Sequence, residues 1–179
     1  MLKQYCLVLW TAAMCLSPGW AAAEGSPDLL GNDFISTGDK ISLSHRGVDD
    51  VFGLGRTFDL NSAITGSAHV IASDVSIDAS VGNSLYAAGD HVEIAASIGS
   101  DAFVVGQTIA VDAAIGGDLR GAASAIDINA SVGGDMQYAG ERINLNGPVA
   151  GTAALAAEHL IFGPDARIDG DLILYGAGS

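Results

Sequence analysis

Asp101, Asp118 and Asp135 follow one another at intervals of seventeen residues, and Asp50 keeps the same phase earlier in the chain. Carboxylates stacked on one surface repel unless a cation bridges them, and calcium accepts such oxygen ligands. Asp101, Asp118 and Asp135 are therefore a candidate calcium site. The competing use is structural, because an aspartate at a turn caps backbone N–H groups. The four histidines offer less. His91 and His159 share a phase but lie four periods apart, and His45 and His69 occupy two other phases. Stacked at about 4.8 Å per period, His91 and His159 stand about 19 Å apart, whereas zinc ligands sit near 2 Å from the ion. A further series, Phe52, His69, Tyr86 and Phe103, continues into Arg120 and Gln137. It forms a candidate outward stripe for a glycan or a protein partner. The stretch "GDLRGAAS" has glycines but no strand-to-helix context and no lysine after them, so it is no phosphate loop. No Ser-His-Asp set is arguable, and the expectation is a protein without catalytic residues or cofactor.

The interval that organises these residues is a repeat, the feature to seek first in any chain. Stepping by seventeen from Ile41 meets Phe58, Val75, Val92, Ile109, Ile126, Ile143 and Leu160. Stepping from Leu43 meets Leu60, Ile77, Ile94, Val111, Ile128, Leu145 and Phe162. A third apolar column runs Ile64, Val81, Ile98, Ile115, Val132, Val149, and a small one runs Gly38, Gly55, Ala72, Gly89, Gly106, Ala123, Gly140, Ala157. Asn61, Asp78, Asp112, Asn129 and Asn146 form a polar turn column. The register holds from Asp33 to Gly151. An eighth unit is two residues longer through Gly163-Pro164-Asp165-Ala166, and a ninth begins at Asp171. Within each unit apolar residues alternate with polar ones, which is strand periodicity, and Gly, Asn, Asp and Ser punctuate the strands. About three short strands and three corners per unit make one coil of a β-solenoid. The fold class is all-β, a single-stranded β-helix of about eight coils, with residues 33–179 as its domain. The small column is expected at a corner that needs either positive φ or the absence of a side chain. A six-residue left-handed helix would need coils of eighteen, and the calcium-binding nonapeptide pattern is missing from "GGDLRG" and "GGDMQY".

Units such as "GDHVEIAASIGSD" (89–101) and "GERINLNGPVAG" (140–151), with the closing "DARIDGDLILYG" (165–176), resemble the bactofilins, the polymer-forming bacterial cytoskeletal proteins. The resemblance covers roughly residues 33–176. It implies a compact right-handed β-helix of triangular section and nucleotide-independent assembly end to end into filaments. The start of the chain departs from that family. Residues 1–23 read as a secretory signal peptide, with Lys3, an apolar run from Cys6 to Leu16, the breakers Pro18 and Gly19, and Ala21-Ala22-Ala23 before the cut. The apolar run is shorter than the ~20 residues of a spanning helix, and Met14 before Cys15 does not suit a lipoprotein signal. Cleavage near Ala23 would leave an exported periplasmic or cell-surface protein with a short lead-in, 24–32, and no cysteine.

The 179-residue chain carries 21 acidic and 7 basic residues, a net charge of −14. That balance argues against nucleic acid or an anionic membrane as partner. A solenoid has two open ends with unpaired strand edges, which recruit other chains unless covered. The expected function is a non-enzymatic scaffold, a homopolymer or homo-oligomer joined through Phe34 and Ile35 at one end and Leu172 and Leu174 at the other. The alternatives are a monomeric binding module that contacts envelope components or a glycan through Phe52, His69, Tyr86 and Phe103, and, more distantly, a polysaccharide lyase.

Overall fold

Alternating residues in a strand face opposite sides, so a run of large apolar residues at every second position needs a covered face. Here that cover comes from the next copy of the same run. A computed structural model describes residues 28–175. The signal-peptide reading of residues 1–23 lies outside the described residues.

The strands are β1 (Asp28–Leu30), β2 (Asp33–Leu43), β3 (Val51–Leu60), β4 (Ala68–Ile71), β5 (Asp74–Ile77), β6 (Leu85–Ile94), β7 (Ala102–Val111), β8 (Leu119–Ile128), β9 (Met136–Leu145), β10 (Pro148–Val149), β11 (Ala153–Phe162), β12 (Arg167–Ile168) and β13 (Leu172–Tyr175). From β2 onward every pairing is parallel, and residue partners from β2 to β11 are seventeen apart, as in Phe34↔Val51, Ile109↔Ile126 and Ile143↔Leu160. The molecule is a β-solenoid of about eight coils. The longer eighth unit is also as expected: Ala153 pairs with Leu172 and Val149 with Ile168, and the extra residues form a turn at Pro164-Asp165.

Each coil has three faces, though not three separate strands. In β7 buried and exposed residues alternate through Val105, two exposed residues follow at Gln107 and Thr108, and alternation resumes to Val111. The chain bends there, Gln107 drops out of the register and pairing resumes at Thr108, so two faces share one ten-residue strand; in the third coil the same two faces are the separate strands β4 and β5. The third face is a single bridge per coil, through Ile64, Val81, Ile98, Ile115, Val132 and Val149. All three apolar columns point inward and form one continuous core.

The small column proves to be a matter of space, not of φ. Among the described residues only Gly31, Gly47 and Gly121 have positive φ, and none belongs to it. A Cβ on Gly106 would come within 2.6 Å of the Gly89 carbonyl oxygen one coil below. Gly121, at φ +154°, has a different partner. A Cβ there would collide with the Val104 carbonyl oxygen and touch the Tyr138 ring. Tyr138 instead uses the room, and its hydroxyl donates to that carbonyl, two coils away, at 2.8 Å.

Burial raises the Tyr138 pKa well above its ordinary 10.0. Tyr138→Phe leaves the Val104 carbonyl without this donor and is expected to cost about 1–2 kcal/mol in urea unfolding. The sign with pH follows from the raised folded value. The contribution of the neutral phenol is complete below pH 10.0 and is lost as pH rises above it. Tyr138→Phe should therefore flatten the alkaline limb of the stability curve, and an unchanged limb would show that another group causes it.

Candidate functional site

The acidic column lies at the corner before the first face of each coil, where the backbone must turn while keeping its register. Each carboxylate accepts a hydrogen bond from the backbone N–H one coil above. Asp101 Oδ1 accepts from Asp118 N at 2.8 Å, Asp118 Oδ1 from Asp135 N at 2.7 Å, and Asp135 Oδ1 from Thr152 N at 2.8 Å. Asp50 does the same for Ser67 N at 2.7 Å. The second oxygen of Asp118 meets Arg120 at 2.6 Å. The Gly-Gly-Asp recurrence at 116–118 and 133–135 has its explanation here. A Cβ on Gly134 would run into Asp118 Oδ1, so the second glycine makes room for the carboxylate from below. The calcium expectation for Asp101, Asp118 and Asp135 gives way to this capping role. Among the described residues no group of three or more His, Cys, Asp or Glu side chains is placed to hold a metal ion.

The polar turn column is likewise a ladder. Asn129 Nδ2 donates to Asp112 Oδ1 and Asn146 Nδ2 to Asn129 Oδ1, both at 2.7 Å. His91 stands between Asp74 and Thr108 in register, and His159 beside Arg142. These histidines line separate open grooves, of which only that of His159 is mainly polar.

One outer face differs from this polar surface. Ile35, Phe52, His69, Tyr86 and Phe103 are successive register partners on the first face of coils one to five. The rings of Phe52 and His69 stack with centroids 4.8 Å apart and planes 5° apart, and those of His69 and Tyr86 with 4.8 Å and 2°. Both centroid distances fall within the range of about 4.5–7 Å for aromatic pairs. The His69 ring has a neighbour over each face, so the ladder turns its edges, more than its faces, toward solvent. Two residues further along each strand runs a second outward column, Thr37, Leu54, Ile71, Ala88 and Val105. Leu54 and Ile71 are 54% and 60% exposed. Between the two columns lies an open apolar groove of about 460 Å³. The sequence reading found the aromatic column and missed its neighbour, although the same step of seventeen from Leu54 reveals it. Above Phe103 the face changes character, to Arg120 and Gln137 in one column and Ala122 and Ala139 in the other.

The two ends are unlike. Phe34 is buried, and β1 pairs antiparallel with the start of β2, Leu29 with Phe34 and Asp28 with Ile35. The backbone edge at Phe34 and Ile35 is thus paired with a strand from the lead-in and is not open. At the other end Leu172 and Leu174 continue the buried columns of Ala153 and Leu155, yet are 44% and 58% exposed. Phe162, which continues the column of Leu145, is exposed as well.

Comparison of the chain with protein-family models, with curated proteins and with solved structures finds no match. Function is therefore read from the acidic ladder, the apolar face and the exposed end.

For the ladder the expectation is mechanical. Asp118→Ala should lower stability by about 1–2 kcal/mol through the lost hydrogen bond to the Asp135 amide. Adding about 1 mM calcium should leave the melting temperature unchanged, whereas a site of micromolar affinity would add about 4 kcal/mol.

Proposed function

We propose that the protein is a non-enzymatic scaffold whose copies join end to end through the C-terminal coil. The observation that carries this reading is the exposed end of the core. Phe162, Leu172 and Leu174 occupy inward columns, and among the described residues no strand pairs with the outer edge of β13. Apolar side chains and an unpaired strand edge at one place favour the addition of another chain. The opposite end is less inviting. β1 takes up the start of its edge, and the exposed charges of Asp39 and Lys40 stand on the rest. The resemblance of the repeats to bactofilins agrees with assembly through coil ends.

A binding module is the second reading, favoured by the apolar face on coils one to five. The stacked rings there suit another apolar surface better than a sugar, which stacks on an open ring face. In that case the protein would stay monomeric and Tyr86→Ala would lose a ligand.

Leu174→Lys places a charge on the exposed end and leaves the buried core untouched. Negative-stain microscopy and sedimentation should show assemblies for the parent chain and their loss in this variant, with the β-sheet circular dichroism retained. Assemblies that survive Leu174→Lys would place the joint elsewhere.

A further inference from the structure

The first face of coils one to five is apolar on both sides. Its inner residues fill the core, while Ile35, Phe52, Leu54, Ile71, Tyr86, Phe103 and Val105 are all exposed on its outer side. A sheet with two apolar faces packs against a layer on each side, and sheets meet face to face about 10 Å apart. We propose that the second layer is the same face of another copy, with the two solenoids side by side, parallel and in coil register. This lateral contact is independent of the end-to-end joint.

Three features of the face select that partner and that arrangement. The first is size. A twofold axis parallel to the solenoid axis sets the Phe52 column of one copy over the Leu54 column of the other at the same height. Phe52 then opposes Leu54, His69 opposes Ile71, Phe103 opposes Val105, and Tyr86 opposes the small Ala88. Large residues meet smaller ones at each level, so the gap between sheets stays even. An axis along the strands would instead put aromatic on aromatic and Leu54 on Ala88, leaving the layer thick on one side and hollow on the other.

The second feature is charge. The same rotation brings the corner before the strand opposite the corner after it. Asp50 faces Arg56, Ser67 faces Ser73, Ser84 faces Asp90, and Asp101 faces Gln107. Asp33 and Asp39 form a like-charged pair, and Arg56, 2.8 Å from Asp39, is shared between Asp39 and the Asp50 that it faces. The third is extent. Five coils span about 19 Å by about 13 Å of strand. Two such faces cover roughly 500 Å² in projection, below the ~1,000 Å² at which specific interfaces begin. A single pair is thus weak. Copies already joined end to end would align many such faces and hold far more tightly.

The test is sedimentation equilibrium of the full chain carrying Leu174→Lys, which removes the end joint and isolates the lateral one; Leu172→Lys, on the other inward column of that end, serves the same purpose should Leu174→Lys misfold. A reversible dimer is expected by about 100 μM, the range suited to so small an interface. Raising salt from about 0.05 to about 0.5 M should strengthen it, because two chains of net charge −14 repel each other and salt screens that repulsion. Adding Ile71→Lys should weaken the dimer at least tenfold, and so should Ala88→Trp, which crowds the place opposite Tyr86. Thr108→Trp, exposed on the second face of its coil and away from the contact, should have no effect. A chain that stays monomeric overturns the proposal and points to a different partner for the face. A dimer that ignores Ile71→Lys, or one that salt weakens, overturns it too. Loss with Ile71→Lys but not with Ala88→Trp would overturn the register. Failure of the end-to-end reading has a separate signature, assemblies of the parent chain that Leu174→Lys does not remove.

Discussion

Everything in this molecule depends on the parallel register between one coil and the next. An inward residue such as Ile126 is covered chiefly by Ile109 below and Ile143 above, so a coil cannot bury its own apolar residues. Stability becomes close to a sum over neighbouring coils. A change of length inside a face would shift every later residue to the wrong side. The one insertion in the described coils falls at a corner, as a turn at Pro164-Asp165, and the columns resume beyond it. The glycines of the small column obey the same constraint, since a Cβ on Gly55, Gly89, Gly106 or Gly140 would meet a carbonyl oxygen of the coil below.

The polar residues are subordinate to that register as well. Asp101, Asp118 and Asp135 look like a cation site when only their spacing is considered. In the fold each caps a backbone amide of the coil above. Asp112, Asn129 and Asn146 hand a hydrogen bond from coil to coil in the same way. Much of the acidic charge is thereby spread along corners, where solvent screens it, and is not concentrated in one place. The corner carboxylates and the laddered amides are occupied by inter-coil hydrogen bonds, and the surface departs from this pattern where the repeat is interrupted or changes composition.

Two such places remain. At the end of the coils the core columns emerge on Phe162, Leu172 and Leu174. On the first face the outward columns are aromatic and aliphatic for five coils and then turn to Arg120, Gln137 and alanines. Among the described residues the first is an exposed edge of the stack and the second an uncovered layer. They point along perpendicular directions, so a copy added at one leaves the other free. An assembly that used both would be a pair of aligned rods.

A strict period is a direct record of which residues stack, and for that reason the sequence by itself determined the solenoid, the coil count, the inward columns, the position of the two-residue insertion and the alignment of Phe52, His69, Tyr86 and Phe103. The period says nothing about what lies beside or beyond a column. Only the tertiary structure decided that two faces share one bent strand, that Tyr138 reaches through the space left by Gly121, and that β1 folds back antiparallel over Phe34 and Ile35. It also decided that the Leu54 and Ile71 column completes an apolar face. The aspartates show the difference most plainly. Spacing put them in line, but whether their oxygens met a cation or a backbone amide depended on which group the corner left within hydrogen-bonding distance.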